Sequence, residues 1–143
     1  MIKLITDKDT LSLRSTVLRN GASEDDCIFP TDGEGFHLGR FVKEKLVCIA
    51  TFFPEDYPDQ GAGGYRLRGM ATDSAFAGKG YGAQIINFAI DKLIAENASY
   101  IWCNARSSAV GFYKKQGFEL ISDEFEVPGI GMHFNMMYNL NRI

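Results

Sequence analysis

Residues 77–83 read AGKGYGA, so Gly78, Gly80 and Gly82 alternate with bulkier residues. From there the apolar period changes. Tyr81, Ile85, Ala89, Ile90, Leu93 and Ile94 fall at helical spacing, and Asn97, a residue tolerated in the left-handed C-cap position, marks the end of the helix. A helix N-terminus presents unpaired N–H groups and the positive end of the helix dipole. Glycines just before it let the backbone approach a bulky anion. The stretch therefore predicts a phosphate or pyrophosphate site. The plain alternative is a tight turn that lets the helix pack on its strand.

Other anion-binding motifs fit less well. A Walker A loop needs Lys followed by Ser or Thr, but Lys79 is followed by Gly80. Gly78, Gly80 and Ala83 match G-x-G-x-x-G/A formally. That pattern should follow its strand directly, and DSAFA intervenes here; the acid expected roughly twenty residues on is replaced by WCNAR. ATP or NAD is thus a distant third reading.

Working outward, IKLI reads as a short strand and TDKD as a helix start, with Thr6 and Asp9 at capping-box spacing. Asn20-Gly21 should stop that helix. Residues 21–35 read as a loop. FHLGRF and KLVCIATFF are strands joined near Lys43–Lys45, and YRLRGMA is a third strand entering the glycine stretch. SYIWCNA, a continuous apolar run, is a buried strand. SAVGFYKKQ is a short helix stopped by Gly117. FELISDEFEV and IGMHFNMMYNL close the chain as strands. In the last, Ile130, Met132, Phe134, Met136, Tyr138 and Leu140 share one face. Strands on both sides of the helices predict a mixed α/β (α+β) sheet in one domain.

The bulk properties narrow the function. At 143 residues, 45% hydrophobic and 23% charged, the chain can bury a core without disulfides or metals. No apolar run reaches the roughly 18 residues of a membrane span, and the first ten residues lack a signal-peptide core. Net charge is −3 with a pI near 5.3 and no basic block, so neither nucleic acid nor membrane is expected as a partner. Cys27, Cys48 and Cys103 are widely spaced, which speaks against a disulfide framework or a zinc site; no metal is expected, and a reducing, cytoplasmic location fits.

Several motifs together resemble the GNAT (Gcn5-related N-acetyltransferase) superfamily. The family loop is written [Q/R]-x-x-G-x-[G/A], and AGKGYG at 77–82 matches it except at Ala77. A strand ending in Asn and a helix ending in Y-x-x-x-G-F are matched by Asn104, Tyr113, Gly117 and Phe118. LRGMAT, AGKGYGA, WCNAR, FYKKQGF and PGIGMH, in that order, extend the resemblance over residues 67–133; the first sixty residues resemble the family only in element order. The resemblance implies one GNAT-like domain over residues 1–143. Its central mixed, mostly antiparallel sheet would be flanked by helices, with YRLRGMA and SYIWCN splaying apart. It implies acetyl-CoA as cosubstrate. Gly78, Lys79, Gly80, Tyr81, Gly82 and Ala83 would lie on the pyrophosphate, and Met70, Ala71, Thr72, Asn104 and Tyr113 along the pantetheine arm. Backbone N–H groups near Gly69–Ala71 would serve the oxyanion.

For the chemistry, Tyr113 is the general-acid candidate, since a phenol near its ordinary value keeps its proton at neutral pH. Its plain alternative is packing beside Phe112, and that of Asn104 is a helix cap. No general base stands out: YRLRGMA holds no carboxylate, and Asp73 lies just beyond it. His133, on the face opposite Met132 and Phe134, is the alternative base, against a solvent-facing strand histidine; His37 ranks below it. Arg68 reads as a surface ion-pair residue or an acceptor-site charge. Cys103 reads as inert packing. Glu24, Asp25, Asp26, Asp32 and Glu34 form an acidic loop, which is either simply solvated or borders the acceptor site and selects a cationic amine. The leading reading is an acetyl-CoA-dependent N-acetyltransferase acting by direct attack on a small-molecule or peptide amine. The runner-up, favoured by the missing base and by Ala77, is a non-catalytic acyl-CoA-binding or regulatory module. The C-terminal apolar face could be core or a homodimer surface.

Overall fold

Strand β1 (Ile2–Ile5) leads into helix α1 (Asp7–Leu13), and the turn between them is the expected capping box. The Asp9 N–H donates to Thr6 Oγ1 at 3.3 Å, and the Thr6 N–H donates back to Asp9 Oδ2 at 3.0 Å. In the computed structural model, which describes residues 1–141, α1 runs on as a π-helical turn, Arg14–Leu18. It stops at Asn20 and Gly21, both in the left-handed region (φ 52° and 79°). Strands β2 (Phe36–Val42) and β3 (Lys45–Pro54) form a hairpin. Its two turn residues, Lys43 and Glu44, both take positive φ, which matches the right-handed twist of the paired strands.

Strand β4 (Gly64–Thr72) pairs antiparallel with β3. Helix α2 (Tyr81–Ala95) then crosses over to β5 (Tyr100–Arg106), which lies parallel to β4. Such a crossover is what a parallel neighbour requires. Helix α3 (Val110–Lys115) ends at Gly117, at φ 98°. The segment expected as one strand, FELISDEFEV, is divided into β6 (Glu119–Leu120) and β7 (Phe125–Val127). Both pair with β8 (Gly131–Asn139). The result is one eight-stranded mixed sheet, ordered β1-β2-β3-β4-β5-β8-β6 with β7 also on β8. Among the described residues only the β4–β5 pairing is parallel.

Strand alternation divides the core between the two faces. Cys48, Ala50 and Phe52 of β3 point to the side where α2 buries Ile85, Ile86, Ala89 and Leu93. Tyr113, Phe118 and Met136 join the same cluster. Ile49 and Ala71 point the other way and meet Leu13 of α1. Fully burying each Ile or Leu of α2 contributes about 1.5–3 kcal/mol, so α2 is held by packing rather than by intrinsic propensity. The inward stripe includes Ile86, while Ile94 is 49% exposed. The apolar stretch around β8 divides likewise: Met136 and, just past the strand, Leu140 are buried, but Met132 at its start and Ile130 just before it are exposed. No helix among the described residues is long and apolar enough to cross a membrane.

Candidate functional site

The parallel strands β4 and β5 stay together for only three residue pairs. Gly64, Tyr65 and Arg66 face Tyr100, Ile101 and Trp102; beyond that point β4 has no strand partner on its β5 side among the described residues. A bulge accounts for the divergence. Ile49 faces Ala71 and Thr51 faces Arg68, so Ala50 opposes both Gly69 and Met70. Such an insertion bends its strand away from regular pairing. Gly69 carries the bend at φ +63°. A Cβ there would lie 3.0 Å from the Phe29 ring and 3.3 Å from Arg14 Nε.

The glycine stretch stands at the mouth of this gap. Gly78 and Gly80 take φ 77° and 82°, conformations that L side chains adopt only at a cost. The first helical hydrogen bond of α2 runs from the Gln84 N–H to the Gly80 carbonyl at 3.1 Å. The amides of Tyr81, Gly82 and Ala83 thus precede any helical acceptor. Gly82 is a close-approach glycine: a Cβ would lie 3.2 Å from the Phe112 ring and 3.6 Å from Met70 Sδ. It seats the helix start on α3 and on the bulge residue Met70. Lys79 is exposed, and the Tyr81 ring lies under the Arg40 guanidinium at 4.7 Å. An elongated ligand with an anionic end fits this arrangement, its anion on the helix amides and its chain along the unpaired edge of β4.

The remaining expected residues fall on or behind this gap. Met70 lines it; Ala71 is buried toward α1, and the Thr72 hydroxyl lies 3.2 Å from Cys48 Sγ, so these two offer the gap their backbone. Asn104 lines the cleft but caps no helix. Its Oδ1 accepts from Arg66, and its Nδ2 donates to Asn135 Oδ1 at 2.5 Å. Asn135 in turn donates to the Tyr57 hydroxyl at 2.7 Å. Tyr113 reaches the cleft wall from α3, packed edge-on between Phe112 and Phe118. Burial, with a smaller contribution from Cys103, pushes its phenol well above the ordinary value, which corrects the expectation of a near-normal group. Cys103 lies in the same wall, where burial raises its thiol to about 12 and makes it inert at neutral pH.

His133 does not face solvent: it is 6% exposed, lines the cleft and stacks on Phe125 with ring centroids 6.0 Å apart. Its Nδ1 lies 2.9 Å from the Gly131 carbonyl oxygen. A carbonyl only accepts, so Nδ1 carries the proton of that bond and Nε2 of the neutral ring is left bare. His37 is occupied elsewhere. Its Nε2 donates to the Asp32 carbonyl at 3.0 Å, and its Nδ1 meets the Thr51 hydroxyl at 2.8 Å. Asp73 also turns away, accepting from the Ala75 N–H at 3.0 Å and facing Lys45 at 3.5 Å.

The acidic loop reaches the cleft through Phe29, but not through its charges. None of its five carboxylates lines the cleft. Glu24, Asp25, Asp26 and Glu34 are exposed, and Asp32 is sequestered on Arg14. Arg14 donates to both Asp32 oxygens at 2.8 Å, to the Cys27 carbonyl at 3.1 Å and to Thr51 Oγ1 at 2.8 Å. Arg68 has no ion pair among the described residues and lies over the Phe29 ring at 4.1 Å, inside the cleft. Sequence reasoning missed Arg14, Arg19, Arg66 and Arg106 as cleft residues. One signal existed: Arg14 follows Thr10 and Leu13 at the spacing of the inward helical face.

Comparison with known proteins shows the family. Residues 32–140 match the family model of the acetyltransferase (GNAT) domain. The chain belongs to the GNAT superfamily of N-acetyltransferases. It is 38% identical over 142 residues to YitI of Bacillus subtilis (strain 168), described as an uncharacterized N-acetyltransferase; the match covers 97% of this chain and 95% of that one. Among solved structures it resembles an aminoglycoside 6'-N-acetyltransferase complexed with coenzyme A, with TM-score 0.79, 14% identity and coverage of 100% and 98% of the two chains. It also resembles the ribosomal-protein-S18-alanine N-acetyltransferase of Escherichia coli, with TM-score 0.75, 15% identity and coverage of 100% and 95%.

Proposed function

We infer that residues 1–143 form one acetyltransferase domain that binds acetyl-CoA between β4 and β5 and passes the acetyl group directly to an amine. One observation carries the reading. The two strands part after Arg66 and Trp102, and the amide-rich start of α2 sits on Met70 at the opening. Acetyl-CoA supplies the activated thioester. The chain's residues do the rest. The amides of Gly78–Ala83, with Lys79, hold the pyrophosphate. The unpaired edge at Met70, Ala71 and Thr72 and the side chain of Asn104 guide the pantetheine arm. The bulge amides at Gly69–Ala71 serve the oxygen that gains charge during transfer.

Transfer forms a carbon–nitrogen bond, breaks the carbon–sulfur bond and releases a proton from the amine nitrogen. His133 Nε2 receives that proton, which removes the missing base that favoured a non-catalytic CoA-binding module. Tyr113 holds its own proton too firmly to surrender it to a thiolate. It stabilises the departing sulfur by donating a hydrogen bond, and solvent completes the thiol. The buried, unpaired cysteines suit a cytoplasmic setting. Exposed Ile130 just before β8 and Met132 at its start offer an apolar strip for a homodimer.

Calorimetric titration with acetyl-CoA, CoA, ATP and NAD tests the binding half. Micromolar, CoA-selective binding is expected, and its absence removes the reading. Tyr113→Phe tests the chemistry. It should keep acetyl-CoA affinity and lose roughly 100-fold in kcat, the low end for removing one hydrogen-bond donor to developing charge; unchanged turnover would return Tyr113 to a packing role.

A further inference from the structure

The cleft beside the β4 bulge is lined by guanidinium groups. Arg14, Arg19, Arg66, Arg68 and Arg106 border it together with His133, and no Asp or Glu among the described residues does. The whole chain carries a net charge of −3, so the cleft reverses the molecule's overall field. Two of these charges are balanced from behind, Arg14 by the Asp32 fork and Arg66 by Glu55 at 3.4 Å. Arg19, Arg68 and Arg106 enter no ion pair among the described residues.

Arg14, Arg19, Arg66 and Arg68 crowd one another where the chemistry would occur. Arg68 directly precedes the bulge glycine and is half-buried against Phe29. Burial, then the charges of Arg66, Arg19 and Arg14, lower its pKa, and only Glu55 opposes them. Arg106 faces His133 across the β5–β8 ladder. Two buried donors, Arg14 Nε and Arg66 Nε, have no hydrogen-bond partner among the described residues. Arg14 is 1% exposed, and its Nε lies 3.3 Å from the Cβ position of Gly69. Buried donors and desolvated cations are costly when left incomplete. Guanidinium forks are suited to carboxylate and phosphate. The cosubstrate's own pyrophosphate does not account for them, because none of residues 78–83 borders this cleft.

We propose that the acyl acceptor is a small amine that itself carries a carboxylate or phosphate group, the anion held by Arg68 with Arg19 and Arg106 and the amine turned toward His133. This rests on the transferase reading above. The same field aids the reaction, since nearby cations lower the pKa of an ammonium and only the neutral amine attacks the thioester. Polycationic amines are repelled, so the fold shared with an aminoglycoside acetyltransferase does not extend to its acceptor.

The test is thiol release from acetyl-CoA with matched acceptors. An L-amino acid is set against its carboxamide, O-phosphoethanolamine against ethanolamine, and spermidine and kanamycin serve as polycations. The anionic member of at least one pair should be preferred by about tenfold or more in kcat/KM, the scale of one charge-assisted contact; which pair responds separates carboxylate from phosphate. Arg68→Gln, and Arg19→Gln at an exposed position less prone to misfolding, should raise KM for that acceptor about tenfold. Neither should change acetyl-CoA affinity, and Arg68→Lys should recover part of the loss. Preference for neutral or cationic amines, or an equal effect of Arg68→Gln on both members of a pair, overturns the proposal and leaves the transferase reading intact. If acetyl-CoA itself fails to bind, the transferase reading falls. The anion site is then judged by calorimetry with inorganic phosphate on the wild type and Arg68→Gln, where loss of heat in the variant supports it and no difference ends it. Acetyl-CoA binding with every acceptor inert, and no anionic acceptor bound by the CoA-loaded protein, also overturns it.

Discussion

Tyr113 and Asp32 are both buried, and burial acts on them in one direction with different outcomes. Burial penalises the charged phenolate, nothing compensates it, and the Tyr113 pKa rises. The hydroxyl is therefore protonated at every pH below its ordinary value of 10.0. Acetyl transfer measured from pH 8 upward should show no alkaline limb that disappears in Tyr113→Phe; such a limb would assign Tyr113 an ordinary pKa. Burial also pushes the Asp32 carboxyl up, but the Arg14 hydrogen bonds, the Phe29 N–H and the nearby charges outweigh it and hold the carboxyl low. A lowered folded-state pKa gives stability that is present above the unfolded value and is lost as pH falls through the folded one. Asp32→Asn leaves Arg14 buried without its counter-charge, so urea unfolding at pH 7 should show a loss of about 3–5 kcal/mol. The variant's stability should also fall less steeply than the wild type's below pH 4. Parallel curves would mean that Asp32 does not carry the acid sensitivity.

At the scale of elements, the site depends on two backbone irregularities that differ in what surrounds them. Gly78 takes φ 77° with nothing within 4 Å of its missing side chain. Gly69 takes φ 63° with Phe29 and Arg14 close by. Gly78→Ala should therefore cost only the backbone strain, about 1–2 kcal/mol, and act mainly on acetyl-CoA affinity. Gly69→Ala adds a steric clash to a similar strain and should be the more destabilising of the two by urea midpoint. The reverse order would mean that the bulge relaxes freely. The loop and helix at 77–97 were legible because local rules decide them: glycine before a helical period, and Asn97 at the end. The bulge was not, because Gly69 inside YRLRGMA reads as an ordinary strand residue until β3 supplies the register. The break in FELISDEFEV has a similar origin. Ser122 interrupts the pairing by taking the Asn135 N–H on its hydroxyl at 2.9 Å, a partner thirteen residues away.

Over the whole molecule, element order was readable and the character of the cleft was not. Each strand and helix is coded locally, whereas the cationic lining is assembled from residues 14, 19, 66, 68 and 106, on three separate parts of the chain. The acidic loop that suggested the opposite charge is spent on solvent and on Arg14. That N-terminal segment has a stability of its own kind. Its contact with the sheet is a small apolar cluster of Leu13, Ile49 and Ala71 plus the polar Arg14–Asp32–Thr51–His37 network. The main core on the α2 side is far larger and almost wholly apolar. Segments with fewer buried apolar contacts open at lower free energy than the global unfolding. The three buried cysteines report on this, since Cys27 lies in the segment while Cys48 and Cys103 belong to the main core. Under native conditions at neutral pH, mass-mapped alkylation with iodoacetamide should modify Cys27 first. Cys48 and Cys103 should follow together at the rate of global unfolding. Asp32→Asn should accelerate Cys27 more than the other two. Simultaneous modification of all three would mean that the N-terminal segment and the sheet unfold as one unit, and that the buried ion pair secures the segment as firmly as the apolar core secures α2.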